Sequence, residues 1–410
     1  MRAPILRFKE FTDDWEGTTL ENLAEVERGK FSVRPRNDPR YFGGEMPFVQ
    51  TGDVAGSDMY LKGYSQTLNA DGIKVSRVFP ADTILITIAA NIGDTTITQY
   101  AVACPDSVVA IQAKKDLANT IFLKNLIDLQ KENLDSQATQ NAQKNINLQV
   151  LKPLQLIAPS KAEQTKIATF LSAVDEKISQ LSQKLHLLGQ YKQGMMQKLF
   201  SQQIRFKADD GSEFGEWESK KLNEIGQSFN GLVGKSKEDF GEGEAYITYK
   251  QIFDHRKINL NNINFVNISP NDTQNMVKKG DIFFTTSSET ANEVAYCSVI
   301  LDDFEFPLYL NSFCFGYRPN SAKIFNSAYA SFYFRSNIFR NKIKHLAQGS
   351  TRFNISKIAF MNVLIHLPML EEQTKIANFL STIDQKIDVV SEQLKQAKIW
   401  KKGLLQQMFV

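Results

Sequence analysis

Two stretches of the chain carry residue types that phosphoryl chemistry uses. Gly234-Lys235-Ser236 has the tail of a phosphate-binding loop, in which backbone amides cradle phosphate oxygens and a lysine reaches the outer phosphates. The full motif needs a glycine five residues before Gly234, and Phe229 stands there, so no nucleotide site is expected. Pro105-Asp106 followed by Gln112-Ala113-Lys114 has the outline of a metal-dependent nuclease centre, with glutamine where a second acid would hold the cation. The related stretch further on sets Asn311 opposite Asp106 and has no matching Gln-x-Lys, so a strand start with a solvated end is expected. The chain contains no Pro-Pro, which rules out the Asn/Asp-Pro-Pro-aromatic signature of amino-methylating enzymes. Four histidines form no ligand-like cluster and three cysteines form no CxxC pair, so no catalytic residue and no metal ligand is assigned.

Softer signals point to a polyanion. Lys30, Arg34, Arg36 and Arg40 gather around Phe31, Pro35 and Pro39 with Asp38 as the one acid among them, the make-up of a basic loop aimed at phosphates or a groove. Arg335, Arg340, Lys342 and Lys344 flank an apolar helical stripe and are phosphate candidates, the bland alternative being a solvated helix face. Gln50-Thr51 and Lys250-Gln251 each follow a short strand, and glutamine, asparagine, lysine and arginine are side chains able to read base edges. Lys235 and Lys237 extend this set. Asp82 and Asp281 recur in the two halves, where a turn cap is expected rather than an acid or base.

These residues are carried by a chain that repeats itself. Residues 159–200 return as residues 368–409: Glu163-Gln164 matches Glu372-Gln373, Asp175 matches Asp384, and Gly194 matches Gly403. Ile167, Leu171, Val174, Ile178, Leu181, Leu185 and Leu188 alternate in steps of four and three, as do Ile376, Leu380, Ile383, Ile387, Val390 and Leu394. That spacing is a coiled-coil seam, and each segment makes a rod of about 60 Å. Ser160 and Glu163 predict a capping box at the first start. Lys192 and Lys401 interrupt the two seams, either fixing register or snorkelling to solvent. Exact recurrence of Glu163, Gln164, Glu372 and Gln373 suggests surface residues that dock a partner, alongside the seam residues Leu171, Leu181, Leu185, Leu380 and Leu394.

The globular stretches repeat too. Arg7-Phe8-Lys9 returns as Arg205-Phe206-Lys207, and Trp15-Glu16 as Trp217-Glu218. Ala138-Thr139-Gln140 leading to Asn145-Ile146 parallels Ala347-Gln348-Gly349 leading to Asn354-Ile355. Short turn-bounded apolar runs followed by a helical stretch at 119–134 predict mixed α and β structure. The divisions are 1–158, 159–200, 201–367 and 368–410. With 410 residues, 42% of them hydrophobic, and a net charge of +3, the chain builds real cores and is only mildly basic. Absence of a leader pattern or a long apolar run, with unpaired cysteines, suggests a reducing cytoplasm.

A globular domain, then a long helix opening Glu-Gln-Thr-Lys-Ile-Ala-x-Phe-Leu-Ser-x-x-Asp-x-Lys-Ile, then both again, resembles the specificity subunit of type I restriction–modification systems. The resemblance covers essentially the whole chain. It implies two α/β (α+β) target recognition domains, in two copies, separated by two long antiparallel coiled-coil helices. Each domain would read one half of a bipartite site in double-stranded DNA. The helices would set the spacing and dock two modification (methyltransferase) subunits, through which nuclease/translocase subunits join. The chain would hold no cofactor of its own: S-adenosylmethionine would come with the modification partner, ATP and Mg with the nuclease partner. The family's Gly-Ser-Thr-Gln-like turn implies DNA contact near Asn141 and Lys144 in the first half and Ser350 and Arg352 in the second. Only the second half keeps Gly349-Ser350-Thr351, and neither keeps the whole pattern. The competing readings are a nuclease or methyltransferase with an unrecognised motif, and a coiled-coil scaffold that binds only proteins.

Overall fold

The computed structural model describes residues 3–89, 91–137 and 145–410. It divides into two units, Met1–Ser182 with Glu392–Val410, and Gln183–Ser391.

In the first unit a four-stranded antiparallel sheet runs in the order Ala24–Arg28, Val108–Ala113, Ile84–Thr87, Thr95–Ile97. A second sheet orders Gln66–Leu68, Phe42–Phe48, Val102–Ala103 and Val78–Phe79, with Phe42–Phe48 parallel to Val102–Ala103. Glu16–Thr19 pairs with Gln155–Ala158 just before the first long helix. In the second unit the orders are Gly226–Asn230, Cys314–Pro319, Ile282–Thr285, Cys297–Val299, and Asn264–Val266, Phe240–Ile247, Leu308–Leu310. Glu218–Lys221 pairs with Leu364–Leu367. The two units therefore share one topology in these sheets, apart from the edge strand Val78–Phe79 of the first. The second also carries a small sheet of Ser287–Ser288, Phe353–Ile355 and Ala347–Gln348, whose Ser287–Asn354 pairing has a counterpart in the first unit's antiparallel bridge between Ala89 and Asn145. The strands Ile84–Thr87 and Ile282–Thr285 are buried at every position, which explains why they read as unbroken apolar runs rather than alternating ones.

Strand register corrects the sequence matching by one residue. Thr87 pairs with Val108 and Thr285 with Cys314, so Ser312, not Asn311, is the counterpart of Asp106. Likewise Ile84 matches Ile282, which sets Asp82 against Gly280 and Thr83 against Asp281. Asp82 (φ 63°) and Gly280 (φ 87°) both hold the left-handed conformation that this turn requires, so it is the backbone angle that recurs. Asp281 does a different job: it is buried, takes a bidentate pair from Arg318 at 2.7 and 2.6 Å, and accepts from the Lys278 amide.

The long helices are Lys161–Phe200, called central below, and Leu370–Met408, called distal. The first unit packs the start of the central helix with the end of the distal one; the second unit packs the reverse ends. Two continuous helices can do this only if they run antiparallel. Ile167, Leu171, Val174 and Leu181 are buried on the central helix, as are Ile376, Leu380, Ile383, Val390 and Leu394 on the distal one. Leu185 and Leu188 are half-buried. The seam lysines neither snorkel nor stand alone: Lys401 pairs with Asp175 and Lys192 with Asp384. Climbing the central helix from Asp175 to Lys192 descends the distal helix from Lys401 to Asp384 by the same number of residues. Within each unit its pair thus marks the antiparallel register of the two helix segments. No helix among the described residues is long and apolar enough to cross a membrane.

Each helix ends inside the other repeat's globular domain. Phe409 stacks on Phe122 at 5.2 Å and meets Trp15 edge-on at 6.3 Å, while Phe200 meets Tyr329 and Tyr333 edge-on at 5.7 and 5.5 Å.

The helix starts are held by a buried clasp. Glu163 is 1% exposed, and its carboxylate takes Arg7 Nε and Nη2 at 2.8 Å each and the Trp15 indole at 3.3 Å. Glu372 is 0% exposed and takes Arg205 at 3.0 and 2.7 Å and Trp217 at 3.1 Å. Gln164 accepts from the Asn119 amide and donates to the Leu117 and Pro159 carbonyls; Gln373 accepts from Asn326 and donates to Ile324 and Pro368. The expected partner-docking role of Glu163, Gln164, Glu372 and Gln373 is therefore corrected, because burial and internal bonds leave these side chains nothing to offer a partner. The capping box is also only half present. Ser160 Oγ accepts from the Glu163 amide at 3.4 Å, but the Glu163 carboxylate turns to Arg7 and Trp15 instead of back to Ser160.

A buried carboxylate with paired donors is costly to break from one side. Glu372→Ala is expected to lower stability by about 3–5 kcal/mol, with exposed Glu371→Ala within about 0.5 kcal/mol of wild type. Denaturant unfolding followed by tryptophan fluorescence measures both; equal midpoints would sink the clasp.

Candidate nucleic-acid interface

In the first unit the chain leaves the strand Ala24–Arg28 through Gly29 into the basic loop. Phe31 is buried against Phe48, Phe42 and Tyr41 at 5.0, 5.6 and 6.3 Å, which anchors the loop from below and leaves its cations outside. Lys30 and Arg34 are exposed and make no ion pair among the described residues. Arg34 Nη1 donates to the Val33 and Phe31 carbonyls at 2.8 and 3.4 Å. Arg36 is exposed and pairs with Asp106 at 2.9 Å, while Arg28 Nε donates to the Asp106 carbonyl. Arg40 is held by Asp38. Gln50 Nε2 donates to Gln66 Oε1 at 2.9 Å, and Thr51 opens the short helix Thr51–Ala55, half-buried. Asn141 and Lys144 lie outside the described residues, as do Ala138, Thr139 and Gln140.

The second unit keeps some of its candidates at the surface and withdraws others. Lys237 is exposed. Lys250 is exposed and pairs with Asp254 at 2.8 Å. Ser350 and Arg352 stand exposed in the turn that joins Ala347–Gln348 to Phe353–Ile355. Gly349 makes that turn possible: its φ is +127°, and a Cβ there would lie 2.1 Å from the Arg352 carbonyl oxygen. Lys235 is a correction, since its side chain is 6% exposed and pairs with Asp272. Gln251 is another: it is buried, donates to the Asn262 carbonyl and accepts from the Asn259 amide, so its amide cannot reach a base.

The helical arginines are likewise not phosphate ligands. Arg335 spends its guanidinium on the Cys297, Ile252, Phe253 and His255 carbonyls at 2.6–3.0 Å, against the Tyr296 ring. Arg340 donates to the Ala295, Asn292 and Val294 carbonyls. Burial pulls Arg340 down to about 10, which still leaves it charged at neutral pH. The sequence also hid Arg256. It bonds Asp384 at 3.1 and 3.0 Å, donates to Ser331 Oγ at 2.7 Å and lies 3.8 Å from the Phe332 ring centroid, tying the second globular domain to the helix seam. Nothing local to residue 256 signals this, because its partner lies 128 residues away.

The outlines of phosphoryl chemistry dissolve. No long helix follows Gly234-Lys235-Ser236, only the three-residue turn Lys237–Asp239, so no helix N-terminus faces a phosphate there. Asp106 is bound by Arg36, whereas Lys114 Nζ donates to the Glu21 and Asn22 carbonyls, so the two side chains serve different contacts. Cys104, Cys297 and Cys314 are all buried, and burial pushes Cys104 and Cys297 up to about 12, far from thiolate chemistry.

The family model for the type I restriction modification DNA specificity domain matches residues 12–188 and again 215–398. Among curated proteins, the chain is 25% identical to the putative type I restriction enzyme MjaX specificity subunit of Methanocaldococcus jannaschii, over 97% of this chain and 93% of the relative. It is 24% identical to the MjaVIII specificity subunit of the same organism, over 89% and 88%. Among solved structures, the type I restriction–modification S subunit of M. genitalium has the same fold with a TM-score of 0.59 at 16% identity, covering 100% of this chain and 99% of that one. A chain from a study of complex assembly and conformational transition in a type I system superposes with a TM-score of 0.57 at 14% identity, covering 96% and 97%.

The division between withdrawn and exposed cations is measurable. Removing a buried donor leaves carbonyls unsatisfied at about 1–3 kcal/mol. Arg335→Ala should therefore cost about 3 kcal/mol of stability, and Arg34→Ala or Lys237→Ala less than about 0.5 kcal/mol. Denaturant titration of the three variants checks this, and a wild-type midpoint for Arg335→Ala would contradict the assignment.

Proposed function

The chain belongs to the family of the type I restriction modification DNA specificity domain, which it carries twice, and from that premise we propose that it directs a restriction–modification complex to a bipartite DNA site, each globular domain reading one half. As a type I specificity subunit it works with DNA and with the other subunits of such a system. The observation that supports two-part reading is one topology built twice with different residues at its surface tips. The first unit offers Lys30, Arg34 and Arg36, the second Lys237, Ser350 and Arg352.

In this reading the catalytic work lies elsewhere. Two modification subunits dock through the central and distal helices, bring S-adenosylmethionine, and methylate DNA; nuclease subunits join through them with ATP and Mg. The helices set the spacing between half-sites, and the assembly acts in the cytoplasm. This chain supplies affinity through cations that displace counterions from phosphates, and selectivity through side chains at base edges.

Methylome sequencing of cells that express this chain with its modification partner tests the reading. Exchanging residues 1–158 for the matching domain of a relative is expected to change one half of the methylated motif and leave the other intact; a change in both halves would sink it. In binding assays, Arg34→Ala should weaken all sequences alike and reduce the slope of log affinity against log salt by about 1. The purified chain alone should show no nuclease, ATPase or methyltransferase turnover.

A further inference from the structure

Phe313 is the most exposed aromatic ring among the described residues, at 57%. It sits in the turn between Leu308–Leu310 and Cys314–Pro319, a turn shaped by Asn311, whose Oδ1 accepts from the Phe313 amide at 2.9 Å. The Phe313 carbonyl accepts from the Thr286 amide at 2.9 Å, so the ring stands on a fixed backbone. The Arg352 guanidinium lies over the ring, 5.8 Å from its centroid. Arg352 makes no ion pair among the described residues. Neither does Lys357, whose Nζ reaches Asn230 Oδ1 where the first strand of the same sheet ends.

The first unit builds the same crossing from other residues. By strand register Ser107 is the counterpart of Phe313, and Gly29 that of Gly231. Both glycines are required by the same close approach: a Cβ would lie 2.3 Å from the Pro105 carbonyl oxygen in one and 2.1 Å from that of Asn311 in the other. In each unit cations stand beside this crossing: Arg28 and Arg36 bond Asp106 and the Lys30 amide donates to the Cys104 carbonyl in one, while Arg352 lies over Phe313 and Lys357 reaches Asn230 in the other. Two sequences that share few surface residues thus place positive charge at one topological position, which is what a common polyanionic ligand requires.

We propose that Phe313 is a specificity-determining residue of the second domain, lying against the methyl group of a thymine in the major groove, with Arg352 holding the ring and facing the DNA. This rests on the DNA-specificity reading above. The major-groove edge of thymine offers a methyl group that an apolar side chain distinguishes from cytosine. A wedge between base pairs would need both ring faces free. Arg352 stands over one face here, so a stacked base would have to displace it, which favours a groove contact through the edge and the other face.

The test uses the complex with its modification subunit and duplexes carrying the motif defined by methylome sequencing. Each thymine of the second domain's half-site is replaced in turn by deoxyuridine, which removes only the methyl group. Wild type should lose about fourfold in affinity at one thymine, the worth of one buried methyl. Phe313→Ala should bind the thymine and uracil duplexes equally at that position, and Phe313→Leu should keep part of the difference. Sensitivity at the other half-site should be unchanged in both variants. If no thymine is sensitive in wild type, or Phe313→Ala keeps the full difference, the assignment is wrong. A wild-type complex that methylates no bipartite motif would instead overturn the specificity-subunit reading itself. Because the ring is on the surface, all variants should unfold at the wild-type midpoint.

Discussion

Each half of this protein is closed by a carboxylate that has almost no water. Glu163 and Glu372 sit at the first turn of a long helix and gather an arginine and a tryptophan from the segment that precedes their own globular domain. An acid buried this far from solvent is tolerable only when its oxygens are filled by charged and polar donors in good geometry, and both sites meet that condition. The neighbouring glutamine does the same for backbone, holding the loop ahead of the domain's helix to the chain just before the long helix. The recurring Arg-Phe-Lys, Trp-Glu and Glu-Gln motifs are therefore parts of one device. Changing one of these residues leaves a buried partner unpaired, whereas the exposed residues at the tips of the domains carry no such constraint.

That contrast explains how one frame can carry two surfaces. The main four-stranded sheets match strand for strand, the second sheets match except for the edge strand Val78–Phe79 of the first unit, and the left-handed turn survives even where aspartate replaces glycine, at Asp82 and Gly280. The first domain surrounds its turn with Arg28, Lys30 and Arg36 and neutralises part of them with Asp106. The second removes the acid, places Phe313 where Ser107 stood and brings a cation from the turn after Gly349. Affinity for a polyanion needs only positive charge in roughly the right place, so those cations can move between loops. Reading a base edge needs a particular shape, so the uncharged residues at the tip are where two domains of one fold can differ in what they recognise.

The helix pair shows a second constraint of the same kind. A polar pair in an apolar seam weakens packing, yet it is satisfied in one register only. Lys401 with Asp175 and Lys192 with Asp384 meet that requirement twice. In the second unit Arg256 joins this pair and lies against Phe332, so the aspartate there serves both the seam and the globular domain. In the first unit Asp175 Oδ2 is buried with no such donor. The two helix–domain junctions are therefore chemically unequal despite their common sequence pattern.

Patterns set by neighbours in the chain were readable from the amino-acid sequence by itself. The four-and-three spacing of Ile167 to Leu188 and of Ile376 to Leu394 depends only on helix geometry, and the duplication of the whole plan shows in matched motifs. Tertiary structure alone decided which polar side chains remain free. Gln251 and Arg335 look like base and phosphate ligands in sequence, but carbonyl groups brought near by the fold consume their donors, from as far as 83 residues away in the case of Arg335. Glu163 and Gln164 look like a surface motif and are core, because their partners come from a segment 148 to 156 residues earlier and from the loop at 117–119. Residue type states what a side chain can bond; only the packed chain determines whether a partner of its own has already taken those bonds.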